Sequence, residues 1–286
     1  MADKNPFPGE NNTGHIWDDT IRELTNPPPR WWMIAFIASF LFVVGYSLLY
    51  PTWPGITGFT KGVLGWTSIK EYKEGVDQVD AIRAQYEERL SDLSTEEILA
   101  NVELSNYTKA SAKVPFGDHC AACHGRGGQG NVGFPVLADD DWLYGGQLEK
   151  IQESITLGRK GIMPAKGGGS LSREEIDTLA HYVNGLSEGK NDPDGKNMFM
   201  GKGCIGCHGM DAKGQQFMGS ANLTDAIWRF MPGGVESAYY TILHGVNDPG
   251  RDSHTRNAEM PSFKDRLGET TIKKLTVFVH QLGGGQ

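Results

Sequence analysis

All four cysteines of this chain lie in two copies of one pentad, Cys120-Ala121-Ala122-Cys123-His124 and Cys204-Ile205-Gly206-Cys207-His208. Nothing is left over for a separate disulfide framework. The C-x-x-C-H spacing suits covalent haem: two thiols on one helical turn each form a thioether to a haem vinyl group, and the next residue turns its imidazole onto the iron. A zinc ribbon also uses paired C-x-x-C, but its halves converge on one metal and have no need of a His following each pair. A thioredoxin-like motif sits in a βαβ context and has no twin. The expectation is two covalently attached c-type haems, held by Cys120, Cys123, Cys204 and Cys207, with His124 and His208 as axial ligands.

The pentads belong to a longer repeat that starts near residue 103. Each copy runs from C-x-x-C-H through a glycine-rich loop to a Leu, an Asp and a Trp (Leu137 to Trp142; Leu223 to Trp228). A Gly-Gly pair (Gly145-Gly146; Gly233-Gly234), a helix, a Met-Pro dipeptide and a closing amphipathic helix follow, the last near 172–186 and 269–282. Units this short and glycine-rich lack an apolar centre of their own, which a haem supplies. Asn191-Asp192-Pro193-Asp194-Gly195 reads as the boundary between them.

A sixth iron ligand is sought among the methionines. Met-Pro occurs at Met163, Met231 and Met260, and only Met163 and Met260 take the same place in the repeat, after the middle helix and before the last. Met/His coordination is a known cytochrome c pattern that raises the potential. Met163 and Met260 are therefore the expected ligands, paired with the irons in chain order, although closely packed twins can exchange them. Met198, Met200, Met210, Met218 and Met231 are expected as core fillers. His15, His119, His181, His244, His254 and His280 do not repeat between the copies and receive no role.

Residues 31–50 contain no charged side chain. At 1.5 Å per residue they make about 30 Å of helix, one hydrocarbon thickness. A core helix shows a polar stripe, and a cleaved signal peptide starts with a basic region and ends at a small-residue site; neither fits. An uncleaved single span is expected, with Trp31, Trp32 and Trp53 as interface anchors. Flanking Arg22 and Arg30 balance Lys61 and Lys70, so charge does not orient it. Because c-type haem is attached outside the bacterial cytoplasmic membrane, the haem domains are expected in the periplasm and the N-terminus in the cytoplasm.

The remainder reads as a cytoplasmic arm (1–30) and a linker (51–102). In the linker an amphipathic helix is expected over 69–90 and a capping box at Ser94 and Glu97. Two haem domains, 103–189 and 190–286, complete an all-α chain. Lys plus Arg number 27 against 35 Asp plus Glu, with no basic run, which excludes a nucleic-acid footprint. The acid excess is largest in 1–102, smaller in 103–188 and absent beyond, so the first haem domain suits a basic donor better.

Gly14-His15-Ile16-Trp17-Asp18-Asp19, Ile21, Glu23-Leu24 and Asn26-Pro27-Pro28-Pro29-Arg30-Trp31-Trp32, with the Tyr50-to-Pro54 exit, resemble the dihaem subunit III of cbb3-type cytochrome c oxidases. The resemblance covers essentially the whole chain. It implies one N-terminal transmembrane helix followed by two tandem class I cytochrome c domains. The implied partners are a haem-copper catalytic subunit, a monohaem cytochrome c subunit, a soluble or membrane cytochrome c donor and membrane lipid. Electrons would pass towards the subunit that reduces oxygen and pumps protons, this chain having no substrate site of its own. The family's ligand roles fall on Cys120, Cys123, His124, Met163, Cys204, Cys207, His208 and Met260. Pro28 departs from the Leu or Met expected in the arm motif and stiffens it. A free-standing membrane dihaem carrier and a dihaem peroxidase are the competing functions.

Overall fold

The computed structural model describes residues 7–18, 20–230, 233–250 and 253–286. It divides into two compact units, up to Ile82 and from Arg83 onwards. Met231 and Asp19, named above, lie outside the described residues.

In the first unit the arm forms an antiparallel pair, β1 (Asn12–Trp17) and β2 (Ile21–Leu24). Arg22 ties it together by pairing with Glu10. Helix α1 (Arg30–Leu49) follows, one residue ahead of the expected span, and none of its residues is buried in protein. Pro29 precedes its first turn, where a missing N–H costs nothing. It is long and apolar enough to cross a membrane. At its end the chain turns through β3 (Pro54–Gly55) and β4 (Gly58–Phe59). Val63 and Leu64 then donate their N–H groups to the Leu48 and Leu49 carbonyls, at 2.9 and 3.1 Å, satisfying acceptors that a helix end leaves open. That return needs Gly62: its φ is +65°, and a Cβ there would meet the Leu49 carbonyl oxygen at 2.3 Å.

Helix α2 (Ser68–Asp92) is the amphipathic helix expected from the sequence. Its apolar positions Ile69, Val79 and Ile82 are exposed, and only its C-terminal end packs. Tyr86 stacks on Tyr107 at 4.4 Å, and Leu90 is fully buried. Helix α3 (Thr95–Ala100) opens on the expected capping box, in which Ser94 Oγ accepts from Glu97 N–H and the Glu97 carboxylate accepts from Ser94 N–H. Leu90 and Ile98 join Leu104, Leu148 and Val277 in one cluster. The end of the expected linker is therefore part of the haem-domain globule, because its apolar side chains find a surface there.

The repeats follow as α4 (Val102–Ser111), α5 (Lys113–His119), α6 (Ala121–His124), α7 (Leu148–Leu157) and β5 (Arg159–Lys160), then a 3₁₀ turn over Ala165–Gly168 and α8 (Arg173–Ser187). The second copy gives α9 (Pro193–Gly201), α10 (Ile205–His208), α11 (Gly234–His244), β6 (Glu259–Met260) and α12 (Glu269–His280). Asp192, in the expected boundary, caps α9 with Pro193 in its first turn. The chain is mostly helical, and its strands are short pairs.

The repeats do not fold as two separate beads. One core joins Ala112 and Phe116, with Ile151 and Ile155, to Phe263, Ile272, Leu275, Phe278 and Val279 of the second repeat. The other joins Leu171, Ile176, Leu179 and Tyr182 of the first repeat to Phe199 and Ala212 of the second. Each closing helix thus packs on the other copy: α12 against α4, α5 and α7, and α8 against α9 and α11. Two glycines make the crossing possible. Gly158 ends α7 at φ +73°, where a Cβ would meet Met260 O at 2.5 Å; Gly245 ends α11 at φ +71°, where a Cβ would meet Met163 O at 2.4 Å. At each helix end, the other repeat's Met-Pro segment passes against bare backbone.

Candidate functional site

His124 closes the one-turn helix α6 and is buried. Its Nδ1 lies 3.0 Å from the carbonyl oxygen of Pro135. A carbonyl only accepts, so Nδ1 carries the proton and Nε2 keeps its lone pair, the tautomer that a metal ligand requires. His208 repeats the arrangement in α10, with Nδ1 3.0 Å from Ala221 O. Burial lowers the pKa of both imidazoles, against the opposing hydrogen bonds to Pro135 and Ala221, and so favours the neutral form. The carbonyls that orient the rings come from Pro135 and Ala221, each two residues before the repeated Leu137 and Leu223. Sequence reasoning missed them because any residue supplies a carbonyl.

No disulfide joins the four cysteines, and each is half-buried. Cys120 packs against the core that contains Phe116 and Phe278, and Cys204 against the core of Leu179 and Phe199. Burial, with Cys123 nearby, pushes the Cys120 thiol up to about 11, and burial raises Cys204 as well. The carbonyl ends of both short helices are tied down. Asn131 Nδ2 donates to Cys123 O at 2.8 Å, Ser220 Oγ to Cys207 O at 2.6 Å, and Gly130 and Gly214 donate to the His124 and His208 carbonyls, both at 2.8 Å. A fixed thiol pair beside an apolar core and an imidazole with a free Nε2 fit a c-type haem, which needs thioether carbons, an axial nitrogen and a dry pocket.

The methionines separate into two groups. Met260, in β6, packs against the core that holds Cys120 and Ala121. Met163 is held by Val246 of the second repeat through reciprocal backbone hydrogen bonds, 2.9 Å from Met163 N to Val246 O and 2.8 Å in return. Packing therefore departs from chain order and brings each Met segment to the other repeat. Of the expected core fillers, Met198 packs in the second core, whereas Met200, Met210 and Met218 are 37%, 65% and 42% exposed. They lie on the solvent side of α9 and on the loop that follows α10, where glycines leave no inner face to fill.

The repeated Trp and Gly-Gly signals become one contact. A Cβ on Gly146 would meet the Trp142 indole at 2.6 Å, and one on Gly233 would meet Trp228 at 2.9 Å. Trp142 Nε1 donates to the carbonyl of Gly284 at 2.5 Å, and Gln286 N donates to Gly146 O at 3.0 Å, so the tail of the second repeat covers the first. Arg229 pairs with Asp141 across the repeats.

Three family models match in series. The N-terminal domain of cytochrome oxidase-cbb3, FixP, matches residues 9–57; cytochrome c oxidase, cbb3-type, subunit III, matches 109–183; cytochrome c matches 193–283. A cbb3-type cytochrome c oxidase subunit FixP of Azorhizobium caulinodans is 42% identical over 290 residues, 97% of this chain and 94% of the relative. The FixP subunit of Rhizobium meliloti is 39% identical over 307 residues, covering 100% of both. The CcoP subunit of Cereibacter sphaeroides is 35% identical over 294 residues, 98% of this chain and 97% of the relative. Two tandem cytochrome c domains of this kind imply covalently bound haem c. With its arm, its apolar helix α1 and its twin C-x-x-C-H sites, the chain belongs to the FixP/CcoP family of cbb3-type cytochrome c oxidase subunits.

Proposed function

We propose that this chain is the membrane-anchored dihaem subunit of a cbb3-type haem-copper oxidase, relaying electrons from a donor cytochrome c towards the catalytic subunit that reduces oxygen to water. The observation that carries this reading is the twinned imidazole geometry: His124 and His208 each direct Nδ1 to a backbone carbonyl at 3.0 Å and leave Nε2 free. Cys120 and Cys123 would hold one haem, and Cys204 and Cys207 the other. A bound haem c supplies a one-electron centre. The packing favours exchanged sixth ligands: Met260 would serve with His124, and Met163 with His208. Were His and Met side chains to ligate each haem, neither site would offer a place for oxygen or peroxide, and the terminal chemistry would fall to another subunit.

Helix α1 anchors the chain in the bacterial cytoplasmic membrane, with the arm cytoplasmic and the repeats periplasmic, where haem c is attached. Trp31, Trp32 and Trp53 are 70%, 45% and 59% exposed in the chain alone, which suits interface anchoring. Partners on this reading are the haem-copper subunit, which couples oxygen reduction to proton pumping, a monohaem cytochrome c subunit and the electron donor.

The test is purification of the membrane complex through a tag on this chain, with haem staining, reduced spectra and oxygen uptake. Two covalent haems on this chain, co-eluting b-type haem and copper, and oxidase activity with a cytochrome donor are expected. Two haems on a lone chain would leave a free-standing carrier instead. Ready binding of carbon monoxide by a ferrous haem of the native chain would favour a dihaem peroxidase.

A further inference from the structure

The segment after α11 departs from the repeat. In the first copy the middle helix gives way to Met163 within a few residues of Gly158, whereas the second copy inserts a longer loop between Gly245 and Met260. Asn247 lies at the start of that loop with φ +47°, a left-handed conformation that Asn tolerates better than most residues. Its side-chain amide is used on both ends. Nδ2 donates to Gly161 O at 2.7 Å and to Ala258 O at 2.8 Å, and Oδ1 accepts from Ala258 N at 3.1 Å. Gly161 stands two residues before Met163, and Ala258 two residues before Met260.

The flanking residues strengthen the same grip. Val246 pairs with Met163 on one side and bridges to Arg256 on the other. Asp248 Oδ1 accepts from Ala165 N at 3.1 Å, just past Met163-Pro164. Beyond them, β5 pairs with β6, with Arg159 opposite Met260. Only a side chain of this length carrying two N–H donors and an acceptor makes all three contacts. An Asp would keep the acceptor and set a carboxylate against two carbonyl oxygens.

We propose that Asn247 is the positioning residue that fixes both methionine segments at once, so that sixth-ligand coordination at the two haems depends on one side chain. This rests on the reading of Met163 and Met260 as the ligands. Both segments lie outside the helices, and the Val246 and Asp248 contacts and the β5–β6 pair hold them beside the Asn247 amide, which alone reaches the backbone ahead of both methionines. Loss of the staple releases the backbone ahead of both thioethers together.

The experiment uses the full chain purified from membranes with its haems attached. Asn247→Gly keeps the left-handed backbone and removes the amide, and Asn247→Ser keeps part of the hydrogen bonding should the Gly variant fail to retain haem. The readouts are the far-red sulfur-to-iron charge-transfer band of each ferric haem and carbon monoxide binding by the ferrous protein. Met163→His and Met260→His are made alongside. The expected result is a weakened sulfur band at both haems and carbon monoxide uptake at both in Asn247→Gly, with a smaller change of the same kind in Asn247→Ser. Wild-type bands in Asn247→Gly, or a loss confined to one haem, would overturn the staple while each Met variant still removes one band. Intact bands in both Met variants would instead overturn the ligand reading and the staple with it.

Discussion

Met260, from the second repeat, is the backbone ladder partner of Arg159, from the first, and Met260 packs against the same core as Cys120. The two copies are thus interleaved at the Met260 segment. A chain built this way cannot separate its two repeats without dismantling both cores.

Interleaving predicts which haem a core substitution disturbs. Leu275 is fully buried in α12 and belongs to the core around the Cys120 motif. Leu275→Ala should cost about 2–5 kcal/mol and lower the melting of the haem at His124 more than that at His208. Leu179→Ala in α8, at 1% exposure, should do the reverse. Thermal or denaturant unfolding followed separately at each haem checks both; a loss that follows sequence repeats would contradict the exchange.

Ligand pairing has a cleaner test in single-haem chains. With Cys204 and Cys207 replaced by Ser, the remaining haem should lose its sulfur charge-transfer band on Met260→Ala and keep it on Met163→Ala. The complementary chain lacking Cys120 and Cys123 should show the opposite sensitivity.

The crossing glycines should be intolerant of any side chain. Gly245→Ala places a Cβ against Met163 O at a backbone angle of φ +71°, and Gly158→Ala does the same against Met260 O at +73°. Left-handed strain alone costs about 1–3 kcal/mol at a non-glycine residue. Gly245→Ala should disturb the thioether of the first repeat and Gly158→Ala that of the second, read from the sulfur band and the midpoint potentials.

A pH dependence follows from the end of α2. The Glu87 carboxylate accepts from Lys274 Nζ at 2.6 Å and from the Tyr107 hydroxyl at 2.5 Å. Burial pushes its pKa up, but those two hydrogen bonds together with the charges of Lys274 and Arg83 outweigh it and hold the group below the ordinary carboxylate value. The stabilisation is therefore full above the unfolded value of about 4.3 and fades as pH falls through the folded one. Because the site is partly open to water, about 1 kcal/mol is expected. Glu87→Gln should flatten the acid limb of a stability–pH curve; an unchanged limb would show that the contact contributes nothing.

Much of this was legible in residue order. The two pentads announce the thiols and imidazoles because covalent haem attachment needs them at fixed spacing on one turn. The charge-free run from Trp31 announces a span because unpaired charge is costly in hydrocarbon. Ser94 and Glu97 announce a helix start because their side chains satisfy nearby backbone donors, and the observed cap uses both. The paired Trp and Gly-Gly signals mark a contact, though not what closes over it.

Tertiary structure alone decided which copy packs on which core. A repeat makes α8 and α12 alternative solutions to the same packing problem, so either fits either core by its sequence pattern. The choice is made by where the chain runs after Gly158 and Gly245, and by contacts between residues far apart in sequence: Val246 with Met163, Arg159 with Met260, Gly284 with Trp142. Asn247 belongs to the same class. A lone Asn in a loop carries no signal in sequence, and only the fold brings Gly161 and Ala258 within reach of one amide. Residue order determined the chemistry of each haem site, because thiols and imidazoles act locally; the fold decided how the two sites are joined, because that depends on hydrogen bonds and packing that only close approach creates.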